Sequence, residues 1–474
     1  MMKTVNHILS TNIFKRIQNR WSEPAGYREI LTLAIPLILS TASWSMQHFV
    51  DRVFLTWLSA EAIAAAMPAG FVNFTLMSLF IGTASYTSTF VAQFSGADMK
   101  KQMGAIVWQG LYFAGIAGVI ILPFFKLAPM IFKAAGHPPE VQVMEIEYFR
   151  VLLWASIPLT ASSALAGFFS GRGKTWTVLW ATTASTFSNI ILDYLLIFGH
   201  WGFPEMGIRG AALATVISQI VRAAIYLILI VQPKIQVQYQ FLKSWKPDKA
   251  LFSRLCRFGL PSGLHMLLDT TGFTLFILIV GKFGTVELAA TNITLNLSSL
   301  AFMPMIGLGM AISIIVGQNV GKKNIRHAEK ATWSTFHLTF LYMITISVTY
   351  VLFPELYLKI YAMNSSTPDF AAIAGLSCQL LQFVALYSIF DTMNIVFAAA
   401  VKGAGDTRFV MWLSIILSWT VMVIPSYLMV IHMGKSIFFA WGSASLFIML
   451  LGITFLLRFL NGRWKTMRVI EESA

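Results

Sequence analysis

The chain has 474 residues, of which 57% are apolar and only 11% charged, and its mean hydropathy is +0.71. A soluble domain carries about 25% charged residues, so a soluble enzyme, a nucleic-acid binder and a disordered chain are excluded and a polytopic helical membrane protein remains. The net charge is nonetheless +14, and its placement along the chain decides what it means.

Residues 1–28 form a basic tail with Lys3, Lys15, Arg16, Arg20 and Arg28 and no apolar core, unlike a cleaved signal peptide. Crossing the hydrocarbon layer takes about 20 apolar residues, and twelve such stretches follow. The first six are 29–57, 62–94, 102–125, 140–170, 174–199 and 207–232. A polar linker at 233–249 separates them from 250–281, 286–317, 326–353, 368–401, 406–431 and 436–460, and 462–474 is a second tail. Gly136-His137-Pro138-Pro139, Gly199 to Pro204 and Asn364 to Pro368 punctuate the cuts. Stretches longer than one crossing imply tilt or a kink. The predicted fold is all-α, with twelve transmembrane helices in a first lobe at 29–232 and a second at 250–461.

An even number of spans puts both tails on one side. That side holds 25 Lys and Arg, the other only 7, from Arg52 to Lys435; Arg150 and Arg222 fall inside spans. The positive-inside rule makes both tails cytoplasmic, and the chain is expected in the cell inner membrane. The excess charge is a topological fringe and gives no reason to invoke nucleic acid.

The halves repeat. Pro36 and Pro261, Gln93 and Gln318, and Gly96 and Gly321 are each 225 residues apart, whereas Gly171-x-Gly173-x-Thr175 and Gly403-x-Gly405-x-Thr407 are 232 apart. The drift of seven implies a small insertion near 354–368. Six spans per half preserve orientation, so the repeat is parallel, with a pseudo-two-fold axis along the membrane normal. Two such lobes leave a cleft of the kind in which transporters bind substrate.

Most acids are read as lying in loops and tails or near span ends, and four as lying deeper in the spans: Asp51, Asp193, Asp269 and Asp391. Each costs about 2.5 to 3.5 kcal/mol at a helix centre, which marks a functional role: a buried carboxylate takes up a proton or coordinates a hard cation. Asn189 and Asp193 share a helical face, as do Tyr387 and Asp391, His265 and Asp269, and His48 and Asp51. A histidine beside an acid could carry a proton or only hydrogen-bond. Met and Phe residues on a cleft would give an adaptable apolar wall.

Other motifs carry no chemistry. Gly167 to Thr175 resembles a phosphate loop, but Phe168 stands where the first glycine belongs. Asp406 replaces Lys174 in the second copy, so the element reads as a tight turn. Cys256 and Cys378 lie in apolar runs and form no metal or disulfide pattern, and no HExxH, CxxC or GxSxG is present. The scattered histidines argue against a membrane enzyme. The chain is expected to act as a monomer without a cofactor, touching lipid and small molecules.

With these residues in view, 29–460 resembles a multidrug and toxic compound extrusion (MATE) transporter of the NorM-like type. The matching features are Phe49-Val50-Asp51, Asn189-x-x-x-Asp193, Gly207 to Thr215, Asn296 to Phe302, and Asp391 through Lys402-Gly403-x-Gly405-Asp406. The resemblance implies export of organic cations and amphipathic drugs in exchange for Na+ or H+. It assigns Asp269 and Asp391 to cation coupling, with Tyr387 and Phe302 as nearby aromatic positions. It also assigns Asp51, Asn189, Asp193 and Thr215 to a first-lobe cation site of the DinF-like branch. Na+ therefore has two candidate sites, Asp51 with Asn189 and Asp193, or Asp269 with Asp391. Asp269 stands where NorM-like members carry Glu, and Asp193 where they often carry Asn, so both lobes hold acids and either could couple. The alternative cargo within the superfamily is a lipid-linked precursor; such flippases line the cleft with cations, whereas the buried charges here are mostly acidic.

Overall fold

The computed structural model describes residues 20–362, 370–431 and 436–471. Among them there is no strand. The helices are α1 (Tyr27–Leu58), α2 (Ala60–Ser85), α3 (Thr87–Gly96), α4 (Lys100–Ala135), α5 (Pro139–Leu153), α6 (Ser156–Gly171), α7 (Thr175–Phe198), α8 (Ile208–Val231) and α9 (Pro233–Tyr239). The second half holds α10 (Lys249–Val280), α11 (Thr285–Gly321), α12 (Ile325–Leu352), α13 (Pro354–Ala362), α14 (Phe370–Ala404), α15 (Thr407–Leu417), α16 (Ile424–Ile431) and α17 (Ile437–Leu460). Among the described residues, eleven helical segments are long and apolar enough to cross a membrane, and the pair α5–α6, bent by 45°, brings the number to twelve. The twelve expected spans are all present. Most of the first tail, the tip of the last and part of the expected insertion at 354–368 lie outside the described residues.

Prolines account for the irregularities. Pro158 lacks the N–H that would bond the Trp154 carbonyl, and the chain bends at Trp154–Ala155 between α5 and α6. A π-helical turn, Ser418–Val423, accommodates Pro425 at the start of α16. The α4 helix runs about ten residues past its expected end and carries Pro123 and Pro129. Pro129 orphans the Phe125 carbonyl, and the Arg150 Nε–H donates to that oxygen at 2.9 Å. This explains an arginine within a span: it satisfies backbone that lipid cannot.

The chain forms two compact units. One gathers the described chain up to Ile38 with Phe276–Ala404 and Trp419–Arg468; the other gathers Leu39–Leu275, Gly405–Ser418 and the residues after Arg468. Within each, the start of one half's first helix packs on the second helix of the other half. In the second unit, a Cβ on Gly82 of α2 would come within 2.7 Å of Gly263 Cα on α10. In the first, a Cβ on Gly307 of α11 would come within 2.8 Å of the Ile38 nitrogen on α1. Both contacts obey the 225-residue offset.

The repeat also governs the Gly-x-Gly turns. Gly171 lies so close to the chain that a Cβ would come within 2.5 Å of the Ser88 carbonyl oxygen, and Gly403 bears the same relation to Ser313 at 2.5 Å. Gly173 and Gly405 follow with φ of 78° and 123°, where glycine is favoured. Lipid provides no hydrophobic drive between helices, so small residues that admit close backbone packing hold spans together. Aromatic clusters complete the interiors: Phe90, Phe94, Phe168 and Phe169 in one unit, Phe397, Phe459 and Trp464 in the other.

Candidate functional site

Asp193 sits on α7, one turn before the helix stops at Gly199 (φ 71°), and Asn189 lies one turn earlier on the same face. Gly210 lets α8 press on α7, since a Cβ there would come within 2.5 Å of the Leu196 carbonyl oxygen. This close approach brings the Thr215 N–H of α8 to the Asn189 amide oxygen at 3.3 Å. The Asn189 amide nitrogen donates to Asp51 Oδ1 of α1 at 2.9 Å and to Asp193 Oδ2 at 3.2 Å. The amide's orientation is assigned from this set of partners.

Asn189 and Asp193 are fully buried, and Asp51 is 8% exposed. Two carboxyl groups that share one amide nitrogen in such surroundings call for a proton or cation to offset their charge, because burying each ion costs several kcal/mol. Asp193 Oδ1 has no hydrogen-bond partner. A buried acceptor without a donor costs about 1–3 kcal/mol, and a proton or hard cation would supply the missing interaction. Two carboxylates with a free oxygen suit a proton or an alkali cation, while the Asn189 amide oxygen is taken up by the Thr215 N–H. Among the described residues no three His, Cys, Asp or Glu side chains gather as a metal site.

Two members of the cluster went unread in the sequence. Gln47 is buried one turn before Asp51 on α1, and its amide lies 3.2 Å from the Asn189 nitrogen. Its four-residue spacing from Asp51 is visible in the chain. Tyr148 on α5 is buried within electrostatic reach of both carboxyls; no spacing rule links it to them. His48 reaches toward Asp51 only at 4.0 Å and is half exposed.

The remaining candidates lie elsewhere. Asp391 is buried on α14 and accepts from the Asn394 amide at 2.8 Å. One turn earlier, the buried Tyr387 hydroxyl hydrogen-bonds Ser298 Oγ of α11 at 3.2 Å, and Phe302 follows one turn beyond Ser298. These belong to the first unit. Asp269 on α10 belongs to the second, 41% exposed, with His265 Nε2 at 3.4 Å; His265 also meets Ser414 Oγ of α15 at 3.0 Å. Asp193 has Asn189 and Asp269 has His265 at the predicted spacing, whereas the partner found for Asp391 is Asn394, three residues on, and Tyr387 bonds Ser298.

The MatE family model matches residues 36–195 and 261–428, well over half the chain. The two matches begin at Pro36 and Pro261, the pair that opens the internal repeat. A probable multidrug resistance protein NorM from Rhizobium meliloti is 29% identical over 86% of this chain and 87% of its own length. Its counterpart from Thermotoga maritima is 27% identical over 97% of both chains. A multidrug resistance MATE family transporter of the MOP superfamily, solved in an outward-facing conformation, superposes with a TM-score of 0.83 at 22% identity, covering 95% of this chain and 98% of that one. A MOP superfamily transporter from Pyrococcus furiosus gives 0.84 at 21% identity, covering 95% and 99%. The fold, the repeat and the family match agree, and the chain is a member of the MatE family of multi-pass membrane transporters.

Proposed function

We propose that this transporter exports organic cations and amphipathic drugs across the plasma membrane in exchange for Na+ or H+. The observation that carries the reading is the buried Asp51–Asn189–Asp193 cluster, with the unpartnered Asp193 Oδ1 within it. An incoming monovalent ion offsets one negative charge of the carboxyl pair and joins α1 to α7; its departure restores that charge. Ion and drug must favour different states, or compete for one, since a ligand that distinguishes no state drives nothing. The lobes at 29–232 and 250–461 are the elements that alternate, and both termini face the cytoplasm, as the basic fringe supports. Asp391, with Tyr387 and Phe302 in the same unit, is a second candidate for cation coupling with aromatic contacts beside it, and Asp269, in the other unit, is a further one. The names of the curated relatives, probable multidrug resistance proteins, support the same cargo.

The test is efflux of a fluorescent organic cation from proteoliposomes under a Na+ gradient alone and a pH gradient alone. One of the two is expected to drive transport. If neither does, the antiport reading is wrong.

A further inference from the structure

The internal repeat allows one groove to be compared with its own copy. In the first half, Trp108 on α4 stacks on Phe241 with ring centroids 5.0 Å apart, and its Nε1–H donates to the Phe241 carbonyl at 2.9 Å. One turn on, the Tyr112 hydroxyl donates to the Trp245 carbonyl. Gly104 makes room for this chain, since a Cβ there would come within 2.9 Å of the Tyr239 oxygen. The linker after α9 therefore fills the groove along the start of α4.

In the second half the 225-residue offset places Trp333 at the position of Trp108, Glu329 at that of Gly104 and Arg326 at that of Lys101. No described residue fills the groove there. It is a cavity of about 520 Å³ lined by Arg20, Arg326, Glu329, Lys330, Trp333 and His337, all within one compact unit. The Arg20 Nε–H donates to Ser334 Oγ at 3.2 Å, which pins the guanidinium at the wall. Lys330 Nζ contacts Glu23 at 2.5 Å, and Lys465 Nζ contacts Glu329 at 2.8 Å. Arg326 is exposed and has no ion pair among the described residues. The cations Arg20, Arg326, Lys330 and Lys465 thus outnumber the acids Glu23 and Glu329. Arg326, Glu329 and Lys330 occupy the first turns of α12, a membrane-spanning helix, where its positive dipole end adds to the field. Tryptophan at that depth is an interfacial residue.

We propose that this cavity binds the phosphate group of an anionic membrane lipid, whose acyl chains lie along α12. Phosphate suits a site with two arginines, because guanidinium presents paired donors to its oxygens. A lipid rather than a free ion suits the height of the site at the membrane surface and the Trp333 wall.

The experiment uses the purified full-length chain in neutral detergent. Thermal stability is followed while phosphatidylglycerol, phosphatidylcholine or inorganic phosphate is titrated. Phosphatidylglycerol is expected to stabilise at concentrations about tenfold below phosphatidylcholine, with inorganic phosphate far weaker. Arg20→Gln with Arg326→Gln should weaken the phosphatidylglycerol effect about tenfold, as loss of charge-assisted hydrogen bonds implies. Lys100→Gln with Lys101→Gln, which removes equal charge at the filled copy of the groove, should leave it unchanged. Equal loss in both double variants would reduce the effect to diffuse charge and overturn the site. Stabilisation by inorganic phosphate equal to that by lipid would overturn the lipid assignment. Should the double variant fail to fold, Arg326→Gln alone, exposed and unpaired in the described structure, carries the test.

Discussion

At the residue scale, the cluster owes its chemistry to one amide. Asn189 holds Asp51 and Asp193 on one nitrogen and anchors itself to the Thr215 backbone. Its i, i+4 relation to Asp193 was legible in the sequence, because a helix repeats on a pitch the chain displays. The convergence of Asp51 was legible only through family resemblance, since contact between separate helices leaves no mark in spacing. Tyr148 left none at all. Two substitutions test the acids' part in the coupled cycle. Asp193→Asn supplies a neutral group where a cation or proton is needed, and ion-driven efflux should fall by at least about tenfold, with the protein still inserted. Asp391→Asn should also abolish ion-driven efflux without loss of insertion; normal pumping by that variant would exclude Asp391 from the coupled cycle. Both are measured as initial efflux rates normalised to membrane-inserted protein.

At the element scale, helix positions followed from apolar length, but breaks and close contacts depended on neighbours. The end of α4 was misplaced at the proline-rich stretch because Arg150, 25 residues away, repairs the backbone there. The Gly-x-Gly turns were visible as motifs, whereas their tight packing on Ser88 and Ser313 required coordinates. Gly171→Ala and Gly403→Ala should each destabilise the protein by about 1–3 kcal/mol, the usual cost of overpacking. Gly115→Ala on α4 has open space around its Cβ and should be neutral or slightly stabilising, as alanine favours helix. Melting temperatures in detergent check all three.

The segment before α1 gives a pH prediction at the same scale. A hydrogen bond from Lys330 holds the Glu23 carboxyl below its ordinary value of 4.5. A depressed carboxyl contributes at pH above its unfolded value and is lost as pH falls through its folded one. The protection factors of the amides from Arg20 to Glu29 should therefore be steady through the neutral range and fall only as pH drops below the ordinary carboxyl range. Glu23→Gln should remove that acid step.

At the scale of the whole molecule, charge bias and the repeat were readable from the chain: the first because membrane orientation acts on loops, the second because duplicated sequence keeps its offsets. Which helix each half lends to the other was not readable, since a repeat states that copies are alike and is silent on how they pack. The account's central claim is that ion and organic cation oppose one another through the Asp51–Asn189–Asp193 cluster. Linkage makes this measurable at equilibrium: if the ion weakens the drug, the drug weakens the ion by the same factor. The most direct measurement is the affinity of purified protein for a fluorescent organic cation, titrated with Na+ at fixed pH and with protons at fixed Na+. The account predicts that one ion weakens drug binding by about fivefold or more in the parent protein, and that the effect disappears in Asp51→Asn with Asp193→Asn. Drug affinity indifferent to both ions, or weakened equally in the double variant, would contradict it.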